Sequence, residues 1–283
     1  MSHQPGDIIA PFTALRIQGG EPRLIPERAA VEVPFELRLN GRSHILLMIS
    51  PQAVEDLARG FCLSEGLVQE PGQVRGVAVG WEQVAGLGPV VWADVDLPRE
   101  LARRARVQRV APAATSCGLC GLESFSQLAG GIAPVSSPGF RVELSVLFEL
   151  VRRMEQEQPI YEATGGTHAA CLARPDGRLL AVREDVGRHN ALDKVLGWGA
   201  ARGIELERCL VLLSGRVSYE MALKLARAGV PLVGSVSAPT ALGIRLLDRL
   251  GLTLVGFIRR HRATVFTHPR RVTGFPPPEP EPG

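Results

Sequence analysis

From Cys209 to Thr267 the chain repeats one unit: a short apolar run, a break of small polar residues, a helical period and a closing glycine. Cys209–Leu213 reads as a strand that leads to a helix over Tyr219–Ala228, closed by Gly229. Val230–Ser235 leads in the same way to a helix over Thr240–Leu250, closed by Gly251; strands at Leu252–Ile258 and Ala263–Thr267 follow. Upstream, Thr167–Ala173 turns through Pro175-Asp176-Gly177 into a second strand, Arg178–Glu184, and a helix covers His189–Leu196. A hairpin followed by alternating helix and strand predicts an α/β fold, a three-layer α/β/α sandwich on a largely parallel sheet.

That rhythm also predicts where chemistry would sit, because open α/β sheets bind ligands beyond the carboxyl ends of their strands. Four polar clusters fall there: Glu184-Asp185-Val186-Gly187-Arg188-His189-Asn190, Ser214-Gly215-Arg216-Val217-Ser218, Ser235-Val236-Ser237-Ala238-Pro239-Thr240 and Arg259-Arg260-His261-Arg262. Small residues, hydroxyls and arginines at helix starts are what a diphosphate requires. One such cluster would mean little; four at successive strand ends point to an anionic ligand. Arg188, His189, Ser214, Arg216 and Ser237 are candidate contacts, with Asp185 a lesser one, since a carboxylate can accept both guanine N–H donors. His168 could equally be a hydrogen-bonded structural histidine, and His189 with Asp193 a surface pair on one helix face. No carboxylate and serine stand at a spacing that would make a hydrolase triad.

The N-terminal part is a smaller α+β region, residues 12–110. Phe35, Leu37 and Leu39 alternate with polar residues up to Asn40-Gly41, a strong two-residue hairpin turn, and a strand at Ile45–Ile49 follows. Ser50-Pro51 resembles an N-cap with proline at the first helical position. Val54, Leu57, Ala58, Phe61 and Cys62 share a helical face that ends near Gly66, and strands are expected near Val74–Trp81 and Val90–Leu97. Residues 111–140 form a loop rich in Ala, Gly, Pro and Ser, with a short helix expected at Leu122–Leu128. The second domain spans 141–272 and opens with a helix carrying Leu147, Leu150, Val151 and Met154. The proline-rich tail, 273–283, lacks the apolar residues to pack and is expected to be disordered.

Cys117-Gly118-Leu119-Cys120-Gly121 lies in the loop. A structural zinc site would need a second such pair, and the chain has none. A redox dithiol would normally follow a strand at a helix start. A persulfide carrier needs an exposed thiolate of low pKa on a segment that can visit two partners, and the composition around the pair favours this. A helix starting just beyond the pair would stabilise the thiolate. Cys62, Cys171 and Cys209 fall on apolar elements and read as small core residues.

Among 283 residues no stretch approaches the roughly 20 apolar residues of a membrane span. The N-terminus does not read as a signal peptide, so a cytoplasmic protein with reduced thiols is expected. The net charge of +3, without a long basic run, gives no sign of nucleic acid. Only Lys194 and Lys224 are lysines; every other basic side chain is arginine or histidine.

Together these motifs resemble the FdhD family of formate dehydrogenase accessory sulfurtransferases. The resemblance rests on Asn40-Gly41, Ala58-Arg59-Gly60-Phe61 with Ser64-Glu65-Gly66, the Cys117–Cys120 pair, Thr167-His168-Ala169-Ala170, Glu184 through Lys194, Ser218-Tyr219-Glu220-Met221, and Leu252–Phe257 through Arg262–Val265. It implies a sulfur carrier that receives persulfide sulfur from a cysteine desulfurase. The sulfur passes to the bis(molybdopterin guanine dinucleotide) molybdenum cofactor before that cofactor enters formate dehydrogenase. Cys117 would carry the persulfide, with Cys120 as its neighbour. Phe257, Ile258, Arg259, Arg260, His261 and Arg262 would bind the cofactor, with GDP as an analogue. It implies a homodimer, and a C-terminal fold like that of the cytidine deaminases without their zinc site. The rival readings are a thiol–disulfide oxidoreductase and a nucleotide-binding chaperone that escorts the cofactor without sulfur transfer.

Overall fold

A computed structural model describes residues 6–107 and 132–275. Cys117, Cys120, the helix expected at Leu122–Leu128 and residues 276–283 lie outside the described residues. Mixed α/β structure results, with seven α-helices and four sheets among the described residues. No described helix is long and apolar enough to cross a membrane.

β1 (Ile9–Gln18) and β2 (Glu21–Ala30) form a long, largely exposed hairpin around Gly19-Gly20. Sequence reading missed it. Pro22 and Pro26 argue against a strand, yet a two-stranded ribbon is all edge and tolerates them; the two turn glycines, both at positive φ, were the available signal. β3 (Val33–Leu39) and β4 (Arg42–Ile49) turn at Asn40-Gly41 as expected, with both turn residues at positive φ. β5 (Gly76–Val84) and β6 (Gly88–Asp96) complete a four-stranded sheet of order β4-β3-β6-β5.

The helix after β4 starts later than Ser50-Pro51 suggested: α1 spans Val54–Ser64, preceded by Ala53 in the left-handed region. Ser50 has other partners. It is fully buried, its N–H donates to Asp185 Oδ2 at 3.1 Å, and its hydroxyl accepts the Val186 N–H at 3.2 Å. A residue held by a strand of the second region cannot also open the helix.

After α2 (Arg99–Val107) and the short β7 (Val142–Glu143) come α3 (Leu144–Gln156), α4 (Pro159–Thr164), β8 (His168–Ala173) and β9 (Leu179–Asp185). They are followed by α5 (Arg188–Ala201), β10 (Leu210–Leu213), α6 (Tyr219–Arg227), β11 (Leu232–Ser235), α7 (Ala241–Arg249), β12 (Thr253–Arg259), β13 (Arg262–Thr267) and β14 (Val272–Thr273). The six-stranded sheet has the order β13-β12-β11-β10-β8-β9. It is mixed and not largely parallel: only β10–β11 and β11–β12 pair in parallel. The β8–β9 and β12–β13 pairs are hairpins with short connections, which force antiparallel pairing, and β8 joins β10 antiparallel as well.

Side chains alternate across this sheet. Ala169, Cys171, Leu210 and Leu212 pack against Leu147, Leu150, Val151 and Met154 of α3. Ala170, Leu172, Val211 and Leu213 belong to the opposite core, with α5, α6 and α7. That second core also takes in Phe35, Leu57, Phe61 and Val91 of the N-terminal region, so the two regions share one apolar interior.

Candidate functional site

The sheet directions gather the polar clusters on one edge. β10, β11 and β12 run the same way, so their carboxyl ends align. β8 is antiparallel to β10, so it begins there; β9 is antiparallel to β8 and ends there, with His168 opposite Asp185 in register. His168, Asp185, Arg188, Ser214, Arg216, Ser237 and the Phe257–Arg262 segment therefore line a single rim.

Several of these groups are occupied by the fold. Ser214 stitches β10 to β8: its hydroxyl accepts the Ala169 N–H at 2.8 Å, and its own N–H donates to Ala169 O at 2.9 Å. Ser235 donates its hydroxyl to Gly215 O at 2.8 Å and accepts the Ser237 N–H at 2.9 Å. Asp185 cannot serve guanine. It is fully buried, and it accepts from Ser50 N–H, Gly187 N–H and the Asn190 amide while pairing with Lys194 Nζ at 2.6 Å. Glu184 caps α4 by accepting the N–H groups of Ile160 and Tyr161, and takes the Thr167 hydroxyl as well.

The β12 end presents ligand-facing groups. The register slips between Gly256 and Arg259, and Phe257 sits at φ 53° with its N–H donating to Ser237 O at 3.2 Å. A non-glycine residue at such φ is strained, and strain of this kind gathers at functional sites. The bulge turns Phe257 outward, 38% exposed, with its ring tilted against Phe266 at 6.2 Å. Arg259, Arg260, His261 and Arg262 are exposed at the β12–β13 tip, where Arg259 faces Arg262. A base-sized aromatic face beside three guanidiniums suits a nucleotide. Ile258 points the other way: its side chain is fully buried against α3, and only its backbone could meet a ligand.

His189 faces inward from the first turn of α5, its Nε2 3.2 Å from Glu220 Oε2. Burial, then the charges of Arg188 and Lys224, hold its pKa down to about 4 against the pull of Glu65. The neutral ring thus donates its Nε2–H to Glu220, which also accepts the Ser218 hydroxyl. Asp193 is not a surface partner of His189. It is buried, accepts the Ser64 hydroxyl at 2.6 Å and pairs with Lys224 at 2.9 Å. Lys224 also reaches Glu65 Oε1 at 2.6 Å and lies over the Phe61 ring. Burial would lower Lys224, but Asp193 and Glu65 outweigh it and hold its ammonium above the usual lysine range. Both lysines of the chain are therefore buried ion-pair partners. Their rarity in an arginine-rich sequence was the only signal for these networks.

Burial also raises the thiols of Cys62 and Cys171 to about 12 and that of Cys209 to about 11. These three cysteines are inert packing residues, as their apolar settings implied.

A sequence model described as the FdhD/NarQ family matches residues 30–273. A protein of Bordetella petrii named sulfur carrier protein FdhD is 39% identical over 266 residues, covering 93% of this chain and 94% of the relative. One of Xanthomonas campestris pv. campestris with the same name is 37% identical over 271 residues, covering 95% and 93%. Among solved structures, one from Desulfotalea psychrophila, assigned as a formate dehydrogenase accessory protein, matches with a TM-score of 0.74 and 26% identity. That match covers 94% of this chain and 100% of the other. The chain belongs to the FdhD/NarQ family.

Proposed function

We propose that this protein is a cytoplasmic sulfur carrier that loads sulfur on Cys117 from a cysteine desulfurase. It delivers that sulfur to the bis(molybdopterin guanine dinucleotide) molybdenum cofactor bound for formate dehydrogenase. The observation that carries the reading is family membership with relatives named for sulfur carriage. The burial of Cys62, Cys171 and Cys209 supports it by leaving Cys117 and Cys120 to supply a reactive thiol. In loading, the Cys117 thiolate attacks the outer sulfur of the donor persulfide, and the donor's own thiolate leaves.

The cofactor is substrate in this scheme. Its guanine nucleotide would lie on the rim, with the Phe257 ring and the guanidiniums of Arg259, Arg260 and Arg262 as the first contacts. The reading includes a homodimer and an architecture like that of the cytidine deaminases. Deamination is not part of it, because the helix starts at Arg188-His189-Asn190 and Ser214–Ser218 lack the His-x-Glu and Pro-Cys-x-x-Cys ligands that chemistry uses.

Mass spectrometry after incubation with a cysteine desulfurase and cysteine tests it. A gain of one sulfur, about 32 Da, on Cys117 is expected, with none in Cys117→Ala. A Cys117–Cys120 disulfide without added sulfur would instead mark a thiol–disulfide oxidoreductase. Formate dehydrogenase activity in cells carrying only Cys117→Ala would show that Cys117 is not the obligatory carrier.

A further inference from the structure

Two guanidiniums and an imidazole crowd at one point of the rim. Arg188 opens α5, Arg216 follows β10, and His168 opens β8. Gly215 lets them close in. A Cβ there would stand 3.3 Å from His168 Nδ1 and 3.5 Å from both Cβ and Cδ of Arg188. Arg188 Nε is buried and has no hydrogen-bond partner. Neither Arg188 nor Arg216 forms an ion pair among the described residues.

The charged groups that face His168 are Arg188 from α5, Arg216 from the β10 loop and Asp185 from β9, and His168 in turn acts on His189 in α5. Asp185, the one carboxylate among them, is taken up by Lys194 and three donors. Burial, then the two guanidiniums, hold the His168 pKa below the ordinary histidine value, so its ring is neutral in the free protein.

We propose that His168, Arg188 and Arg216 form an oxyanion subsite for a phosphate or diphosphate group, and that filling this subsite draws a proton onto His168. The proposal rests on the reading that this rim binds the guanine nucleotide of the cofactor, and it adds a second point of contact. The β12 end, with Phe257 and Arg262, lies three strand spacings from β8, about 14 Å away at the usual interstrand distance. The bound oxyanion accepts from Arg188 Nε–H, which the fold leaves unpaired. It also faces His168, so the imidazole takes one proton from solvent and donates to the anion. No other bond is made or broken.

Calorimetry of the full chain with inorganic pyrophosphate and with GDP, at neutral pH in two buffers of different ionisation enthalpy, tests it. The wild type should take up more protons per anion than His168→Gln, by as much as one. Arg188→Gln should weaken pyrophosphate at least about tenfold, as the loss of a charge-assisted contact implies. Arg262→Ala should leave the extra proton uptake in place. An independent readout uses the wild type alone: in a nuclear magnetic resonance titration, pyrophosphate should raise the His168 pKa by about one unit or more. Equal proton uptake in wild type and His168→Gln, or an unmoved His168 titration with bound pyrophosphate, overturns the subsite. GDP binding that depends on Arg262 but not on Arg188 would overturn it while leaving the nucleotide reading intact. Failure of both ligands to bind overturns both.

Discussion

Gly60 of α1 and Gly197 of α5 press so closely that neither position admits a side chain. A Cβ on Gly60 would stand 1.7 Å from Asp193 O, and one on Gly197 1.8 Å from Asp56 O. The crossing brings Ser64 and Glu65, at the end of α1, to Asp193 and Lys224. In an open helix, glycine to alanine stabilises by up to about 1 kcal/mol. Here Gly60→Ala and Gly197→Ala should each destabilise, by at least the roughly 1–3 kcal/mol typical of overpacking, because backbone must move. Urea denaturation reads the sign; a variant as stable as wild type would show that the helices do not touch this closely.

The second expectation concerns Lys194. Its ammonium is fully buried, held by Asp185 Oδ2 at 2.6 Å and by the carbonyls of Ser50 and Glu184. Lys194→Met leaves the Asp185 carboxylate buried without a counterion, at a cost of about 3–5 kcal/mol. Adding Asp185→Asn removes the stranded charge and should recover part of the loss. A single variant within about 0.5 kcal/mol of wild type, the ordinary range for a surface change, would mean that the pair is not buried.

How much of this was legible beforehand depended on whether the signal was local. The Asn40-Gly41 turn and the rhythm from β10 to β13 lie in neighbouring residues, and their reading placed those elements within a few positions. Ser50 misled because its partners, Asp185 and Val186, are remote in sequence. Asp185 looked available to a ligand although three of its four partners, Gly187, Asn190 and Lys194, stand within nine residues of it. That the start of α5 turns these groups back onto the carboxylate, with Ser50 closing it from the far side, is set by the packing. The mixed sheet was partly readable, since the β8–β9 turn at Asp176-Gly177 already demanded an antiparallel pair. The joining of β8 to β10 was not, because it is set by packing rather than by a turn. At the rim, the arginines at strand ends could be picked by type and position. Which of them the fold leaves without a partner could not.

A pH effect should follow from His189. Its folded pKa is lowered from 6.5 to about 4. Above the higher value both states are neutral and the group contributes nothing to the pH dependence. As pH falls through 6.5 the unfolded chain takes up a proton that the folded protein refuses until about 4, so stability is lost across that window. The loss is at most about 3 kcal/mol. Asp193, raised to about 6 by burial, runs the opposite way, so the wild-type curve alone does not isolate the term. The difference between wild type and His189→Asn does. It should shift toward the variant between pH 6.5 and 4, and a flat difference curve would place the imidazole in solvent.

GDP binding should depend on the β12–β13 tip. Arg262 is exposed there with Arg259, Arg260 and His261, and none of the four forms an ion pair among the described residues. Arg262→Ala should weaken GDP by roughly 1.5–3 kcal/mol through one lost charge-assisted contact. Calorimetry that returns the same affinity for both proteins would remove Arg262 from the site.

The last expectation concerns the presence of two cysteines. If Cys117 carries the persulfide, the thiolate of Cys120 can attack the inner sulfur. The bond between inner and outer sulfur then breaks, sulfide leaves with the electron pair, and a Cys117–Cys120 disulfide remains for a cellular thiol to reduce. In water that release wastes the sulfur; beside the molybdenum of a bound cofactor it delivers it. Cys120 should therefore act only once cofactor fills the rim. Cys120→Ala should still load sulfur on Cys117 and should hold the persulfide longer than wild type does, because the internal attack is gone. It should then fail to pass the sulfur on. Loading is read by mass, persistence by the decay of that mass once cofactor is added, and delivery by formate dehydrogenase activity. Direct transfer from Cys117 to the metal is the competing route. A loaded Cys120→Ala protein that sulfurates the cofactor at the wild-type rate would establish that route and leave Cys120 without a part in release.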